Sequence, residues 1–215
     1  MTRAKFSLFA LTTIALCLSA SAARADTPVT FEVAKDGHLW LEGDSTLHKY
    51  KLNAKQFSVN FTLQEAVGDV KKVVTSNEVK TFELRVPVTE LSSGEKGLDD
   101  NMRKALQADK NPEIVFQLST YQTTPAANGD FTAHMNGVLT IAGKQRTVTL
   151  EATATPSATG VRFVGTKRVL MTDYGVKPPV LMLGTLKTAD AIDVKFDFTV
   201  TETMHAATAH ADARP

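Results

Sequence analysis

Side chains able to do chemistry are sparse in this 215-residue chain, which carries five histidines and one cysteine. A serine nucleophile would call for a G-x-S-x-G elbow, and the chain has none. A cysteine nucleophile would have to be Cys17, which lies in an apolar N-terminal stretch. Asp99, Asp100 and Asp109 fall on or just after a stretch of helical spacing. Favourable placement near a helix start, and solvation, account for them. Neither a triad nor a paired-carboxylate site can be assembled, so no catalytic residue is expected. His38 and His134 are isolated, and His205 and His210 stand five apart instead of the i, i+4 of a helical metal site, so no metal is expected either. Two residues are candidate contacts for a polar head group. His48, in Ser45-Thr46-Leu47-His48, could hydrogen-bond a carbonyl of the quinone type, although a solvent-facing strand histidine is the plainer reading. Asp173, with Lys177, flanks Gly175 in the proline-stiffened run MTDYGVKPP, which is either a gate or a satisfied turn.

The elements that would position such groups begin after an export signal. Arg3 and Lys5 form a positive n-region, Phe6 to Leu18 is uncharged and mostly apolar, and Ala23-Arg24-Ala25 offers a small-x-small cleavage pattern. Cleavage is expected after Ala25, with residues 1–25 as signal peptide and the periplasm as destination. A membrane anchor is the weaker alternative, since a spanning helix needs about 20 apolar residues. Leu16 precedes Cys17 where a lipid-attachment signal would want a small residue, so no stable membrane anchor is expected. The mature chain would hold no cysteine, and its core alone must stabilise it. Lys and Arg number 24 against 23 Asp and Glu, without a basic run, which argues against nucleic acid as a partner.

From Thr30 onward the pattern is extended. The clearest stretch is Asn136 to Ala154, two alternating runs joined at Ala142-Gly143-Lys144-Gln145. Leu139 and Ile141 share a face of the first run; Val148, Leu150, Ala152 and Ala154 share a face of the second. Phe57, Val59 and Phe61 form another row, as do Phe82, Leu84 and Val86, and then Ile114 and Phe116. Ile192, Val194, Phe196, Phe198 and Val200 form the last and clearest. Val67 to Lys72 reads as a polar connection, and the residues around Gly184 as a short apolar stretch. Leu98, Met102, Ala105 and Leu106 recur at helical spacing within Gly94 to Gln107, the one helix expected. Residues 26–202 would form one domain and residues 203–215 a disordered tail.

Eight or nine alternating strands imply an all-β, antiparallel sheet that curls or closes. Periodicity does not separate a filled sandwich from a barrel with room for a slender ligand. The rows mix small residues with bulky ones, which suits either; composition alone favours plain packing.

A family resemblance shifts that balance. The run GLDDNMRKALQADKNPEIVFQL, with Pro112, Ile114 and Phe116, resembles the YceI-like family. So does Gly137-x-Leu139-Thr140-Ile141-x-Gly143 followed by Arg146-x-Val148. Asp173-Tyr174-Gly175 is similar to the family's Asp-Phe-Gly, with Tyr for Phe. The resemblance runs from about Phe31 to Thr201 and is least close over Trp40 to His48. It implies an extended, antiparallel, eight-stranded lipocalin-like barrel with one short helix, enclosing an apolar tunnel for a polyisoprenoid or similar amphiphilic lipid. It implies no cofactor other than a bound isoprenoid or quinone, and no enzymatic activity. The expected ligand contacts are then Phe57, Val59, Phe61, Phe82, Leu84 and Val86, with Met102 and Leu106 plugging one end. Ile114, Phe116, Leu139, Ile141, Val148 and Leu150 continue the wall, and Val194, Phe196 and Phe198 complete it. At about 0.8 kcal/mol per buried CH₂, four isoprene units would gain on the order of 16 kcal/mol before association and ordering costs. A competing expectation is a packed barrel serving as a stress or interaction protein through its loops. A lipid-acting enzyme using His48 and Asp173 is a third. A homodimer is left open.

Overall fold

The computed structural model describes residues 30–63, 72, 79–158, 160–181 and 185–203. The expected signal peptide, most of the Val67 to Lys72 connection, Gly184 and residues 204–215 lie outside them. The described residues form twelve strands and one α-helix. In chain order the strands are β1 (Thr30–Val33), β2 (His38–Ser45), β3 (Tyr50–Ala54), β4 (Ser58–Leu63), β5 (Val79–Pro87) and β6 (Leu91–Ser92). Helix α1 (Lys96–Leu106) follows. Then come β7 (Glu113–Pro125), β8 (Phe131–Ile141), β9 (Lys144–Pro156), β10 (Gly160–Leu170), β11 (Val180–Leu181) and β12 (Leu186–Thr203).

Ten strands run in the order β4-β5-β7-β8-β9-β10-β12-β2-β3-β6, every pair antiparallel, while β1 and β11 pair with β12. The sheet curls into a lipocalin-like half-barrel. Its end strand β6 continues the chain of β5 through a 3-10 turn, Val88–Glu90, and pairs with β3, so the two ends of the path come back toward each other. Without the short pieces β1, β6 and β11, nine strands remain among the described residues, one more than the eight expected.

The β8–β9 hairpin pairs Ile141 with Lys144, so its loop is only Ala142-Gly143. Both take positive φ, 47° and 72°, the type I′ geometry whose twist matches the strands. The four-residue turn expected from sequence is therefore two residues shorter. A non-glycine residue accepts the left-handed backbone at Ala142, at a cost of about 1–2 kcal/mol.

Alternation then sorts the faces. The outer face of β10, β12 and β2 is tied by ions: Arg162 and Arg168 each grip a carboxylate with two bonds, on Asp197 and Asp193, and Lys195 meets Glu42 at 2.6 Å. The inner face carries the aliphatic and aromatic rows. Gly165 on β10 leaves room for the Phe196 ring, which a Cβ there would strike.

Asp99 is not the solvated helix-start carboxylate expected from sequence. It is buried, and accepts hydrogen bonds from Ser92 Oγ (2.8 Å), Ser93 N–H (2.7 Å) and Ser93 Oγ (2.7 Å), tying α1 to the end of β6. Burial pushes this carboxyl up, but the Ser93 and Ser92 donors and the Arg103 charge outweigh it and hold the group below the ordinary carboxylate range. Its contribution to stability is thus present above that range and is lost as pH falls through the depressed pKa. An Asp99→Asn variant should be less stable than the parent near neutral pH, and the gap should narrow as pH falls from about 6 to about 2. Thermal melts across that range check this; a pH-independent gap would contradict it.

Candidate functional site

The inner rows do not fill the space they enclose. A cavity of about 160 Å³ lies within the curl, and a second of about 110 Å³ lies against α1. One water needs only about 10–15 Å³ on this measure, so neither is a packing defect. Leu41, Leu91, Ile114, Ile141, Val169 and Val194 line both, so the two adjoin as one elongated apolar chamber.

Of the residues expected from sequence, Phe61, Phe82, Leu84 and Val86 line the larger cavity from β4 and β5. Phe116, Leu139, Leu150, Phe196 and Phe198 line it from β7, β8, β9 and β12. Ile114, Ile141 and Val194 face both spaces, and Met102 and Leu106 face the second from the helix. Phe57, Val59 and Val148 do not line either. Phe57 is spent on the Phe198 ring (5.9 Å), Val59 is buried in the core beside it, and Val148 packs in the cluster around Phe116 and Leu139. Rings of Phe163 and Phe196 close on Phe198 at 6.0 and 5.8 Å, so the three pack on one another while also lining the larger cavity.

The candidate head-group residues are elsewhere. His48 is exposed, and its backbone completes the β2–β3 turn through Ser45, 2.7 Å from Ser45 Oγ to the His48 carbonyl. Asp173 is exposed in a 3-10 turn (Met171–Tyr174), where its carbonyl accepts from Arg146 Nε at 2.8 Å. Neither reaches the chamber, because each lies in a connection beyond the strand whose inner row it would have to join. Polar groups come instead from Tyr50, Asn101, Tyr174 and Thr188, which line the second cavity. Burial, with Asp44 nearby, pushes the Tyr50 phenol up to about 12. Burial and the Asp173 charge also push Tyr174 up, against Arg146. Both phenols therefore stay neutral and can donate a hydrogen bond. Gly43 permits this placement, since a Cβ there would meet the Tyr50 ring. Among the described residues no three His, Cys, Asp or Glu side chains are grouped to hold a metal, and no helix is long and apolar enough to cross a membrane.

Several lining residues escape an alternation reading because the phase changes inside a strand. On β7 the register shifts between Leu118 and Thr120, leaving Ser119 as the extra residue. Ile114, Phe116 and Leu118 face in before the bulge; Tyr121 and Thr123 face in after it. On β5 the extra residue is Lys80, which brings Val79 inward out of phase with Phe82. Ala133, Met135, Phe163 and Val169 needed no bulge, only the full extent of β8 and β10, which their polar interruptions hide in the sequence.

With this geometry in place, the sequence was compared with known proteins. A family model described as a YceI-like domain matches residues 25–200. No curated protein sequence matches this one. Among solved structures, a polyisoprenoid-binding domain from Saccharophagus degradans implicated in plant cell wall breakdown is similar with a TM-score of 0.62 and 11% identity, over 81% of this chain and 99% of that one. BcnA of Burkholderia cenocepacia gives 0.57 and 19%, over 77% and 96%. The YceI protein of Campylobacter jejuni gives 0.54 and 17%, over 72% and 85%.

Deleting Ser119 would remove the extra residue and leave Leu118, Tyr121 and Thr123 in one strictly alternating inner row, with every β7–β8 pair kept in register. Urea unfolding of that variant should therefore change by no more than about 1 kcal/mol. A loss on the order of 3 kcal/mol would show that the bulge itself, and not the register it serves, holds the wall.

Proposed function

The chain belongs to the YceI-like family, and on that premise we propose that it is a non-enzymatic carrier holding a polyisoprenoid or similar amphiphilic lipid in the periplasm. The observation that carries this reading is the chamber itself, apolar on nearly every wall and far too large to be residual packing space. A hydrocarbon chain has almost no hydrogen-bonding groups, so its site needs apolar walls and few polar ones. Such a dry space gains from an apolar occupant and not from water. The name of the similar Saccharophagus domain points to the same ligand class. The apolar N-terminal stretch with its Ala23-Arg24-Ala25 pattern supports export, and transport or storage outside the cytoplasm follows from a site that shields a lipid tail from water.

Affinity for a tail in such a chamber is non-directional and tolerant of length, so discrimination falls to the polar groups at its edges. Mature protein purified from its native host should release a long-chain lipid on organic extraction, near one per chain by mass spectrometry. Leu84→Trp, placed to fill the larger cavity from a half-buried wall position, should keep the β-sheet circular-dichroism signal and melt cooperatively while binding added geranylgeraniol about tenfold or more weaker. A protein that carries no lipid and binds geranylgeraniol equally well with and without that tryptophan would end this reading.

A further inference from the structure

Strands β9 and β10 are hydrogen-bonded only in part. Their pairing runs from Val161↔Pro156 to Gly165↔Ala152 and stops. Beyond that point β9 continues on β8 down to Lys144, and β10 continues on β12 to Leu170, each paired on its other side alone. About five residues of each edge, roughly 16 Å of strand, face one another without a ladder. Backbone N–H and C=O groups along these edges are left for water or a ligand. The slit is bounded at one end by the Gly165–Ala152 pair. At the other, Arg146 Nε holds the Asp173 carbonyl at 2.8 Å, bridging β9 to the turn that follows β10.

Lys167 stands on this edge. It shares the inner row of β10 with Phe163 and Val169, and among the described residues it is the one charged side chain lining either cavity. Arg162 and Arg168 of the same strand face outward and are matched by Asp197 and Asp193. The Lys167 backbone pairs with Val194, but its side chain has no hydrogen bond or ion pair among the described residues. Its methylene stem suits an apolar wall, while an ammonium seeks water or an anion, and the unladdered edge is where the wall gives access to one.

We propose that the slit between β9 and β10 is the head-group site, and that Lys167 there selects amphiphiles with an anionic head, a carboxylate or a phosphate, on a tail lying in the chamber. This rests on the carrier reading above and sharpens it. A free ammonium beside an apolar space gains a charge-assisted bond to an anion that a neutral alcohol of equal length does not provide. The strand-edge N–H groups add donors to the same oxygen atoms.

Two matched pairs of probes test this: geranylgeranyl phosphate against geranylgeraniol, and palmitate against palmityl alcohol, titrated into delipidated protein. The parent should prefer the anion in at least one pair by about tenfold or more, and the pair that does so identifies the head as phosphate or carboxylate. Lys167→Met should bring that ratio near one through loss of anion affinity, and Lys167→Arg should retain the preference. Lys167→Gln provides the same comparison if the methionine variant does not fold. Tight binding of alcohols with no anion preference, or a preference untouched by the Lys167 variants, overturns the head-group assignment alone. Failure of all four probes to bind overturns the carrier reading and this inference together.

Discussion

Strand β12 is what the rest of the structure depends on. Over eighteen residues it carries antiparallel ladders to β10 on one side, to β2 and β1 on the other, and to β11 near its start. Its register is constrained from both faces. Inside, Ile192, Phe196, Phe198 and Val200 are buried; outside, Asp193, Lys195 and Asp197 meet Arg168, Glu42 and Arg162. A slip of one residue would turn every carboxylate into the chamber and every ring into water. The ion pairs are worth little individually as exposed contacts, but they are incompatible with the slipped register, and so add specificity to what burial stabilises.

That fixed register explains how a single sheet can be packed at one place and hollow at another. Where rings crowd, Phe57 packs on Phe198, and Phe163, Phe196 and Phe198 pack on one another to make one wall of the cavity. Where the inner row is small or aliphatic, as at Ala133, Leu84 and Leu150, the opposing walls are too far apart to touch and space remains. Helix α1 lies against that space and is held to the sheet in two ways: the buried Asp99 carboxylate bound to Ser92 and Ser93, and Met102, Ala105 and Leu106 packed on the core clusters. The closure therefore combines a directional anchor with an apolar surface that also faces the chamber.

Much of this was legible in the residues. Alternation through Phe82 to Val86, Leu139 to Ile141 and Ile192 to Val200 marks inner rows, and the helix-spaced Leu98, Met102, Ala105 and Leu106 mark α1. What escaped was phase and place. Ser119 and Lys80 each reset a strand by one residue, and a bulge leaves no signature in hydrophobic pattern, so strict alternation carried on from Phe116 or Phe82 does not find Tyr121, Thr123 or Val79. His48 and Asp173 were attractive as chemistry-bearing types but stand in exposed connections. Lys167 stands beside Arg168 in the chain, yet the two alternate, Arg168 facing the outer salt bridge and Lys167 the cavity.

By itself the sequence determined the strand class, the helix α1, the inner rows and a resemblance to one family, because period-two and helical spacings are local properties that burial imposes on short segments. Only the tertiary structure decided that the curl is partly hollow, which aromatic residues are spent on packing, and where the wall parts between β9 and β10. Those outcomes depend on distances between residues far apart in the chain, which are set by how a twisted sheet closes and not by any segment's own pattern.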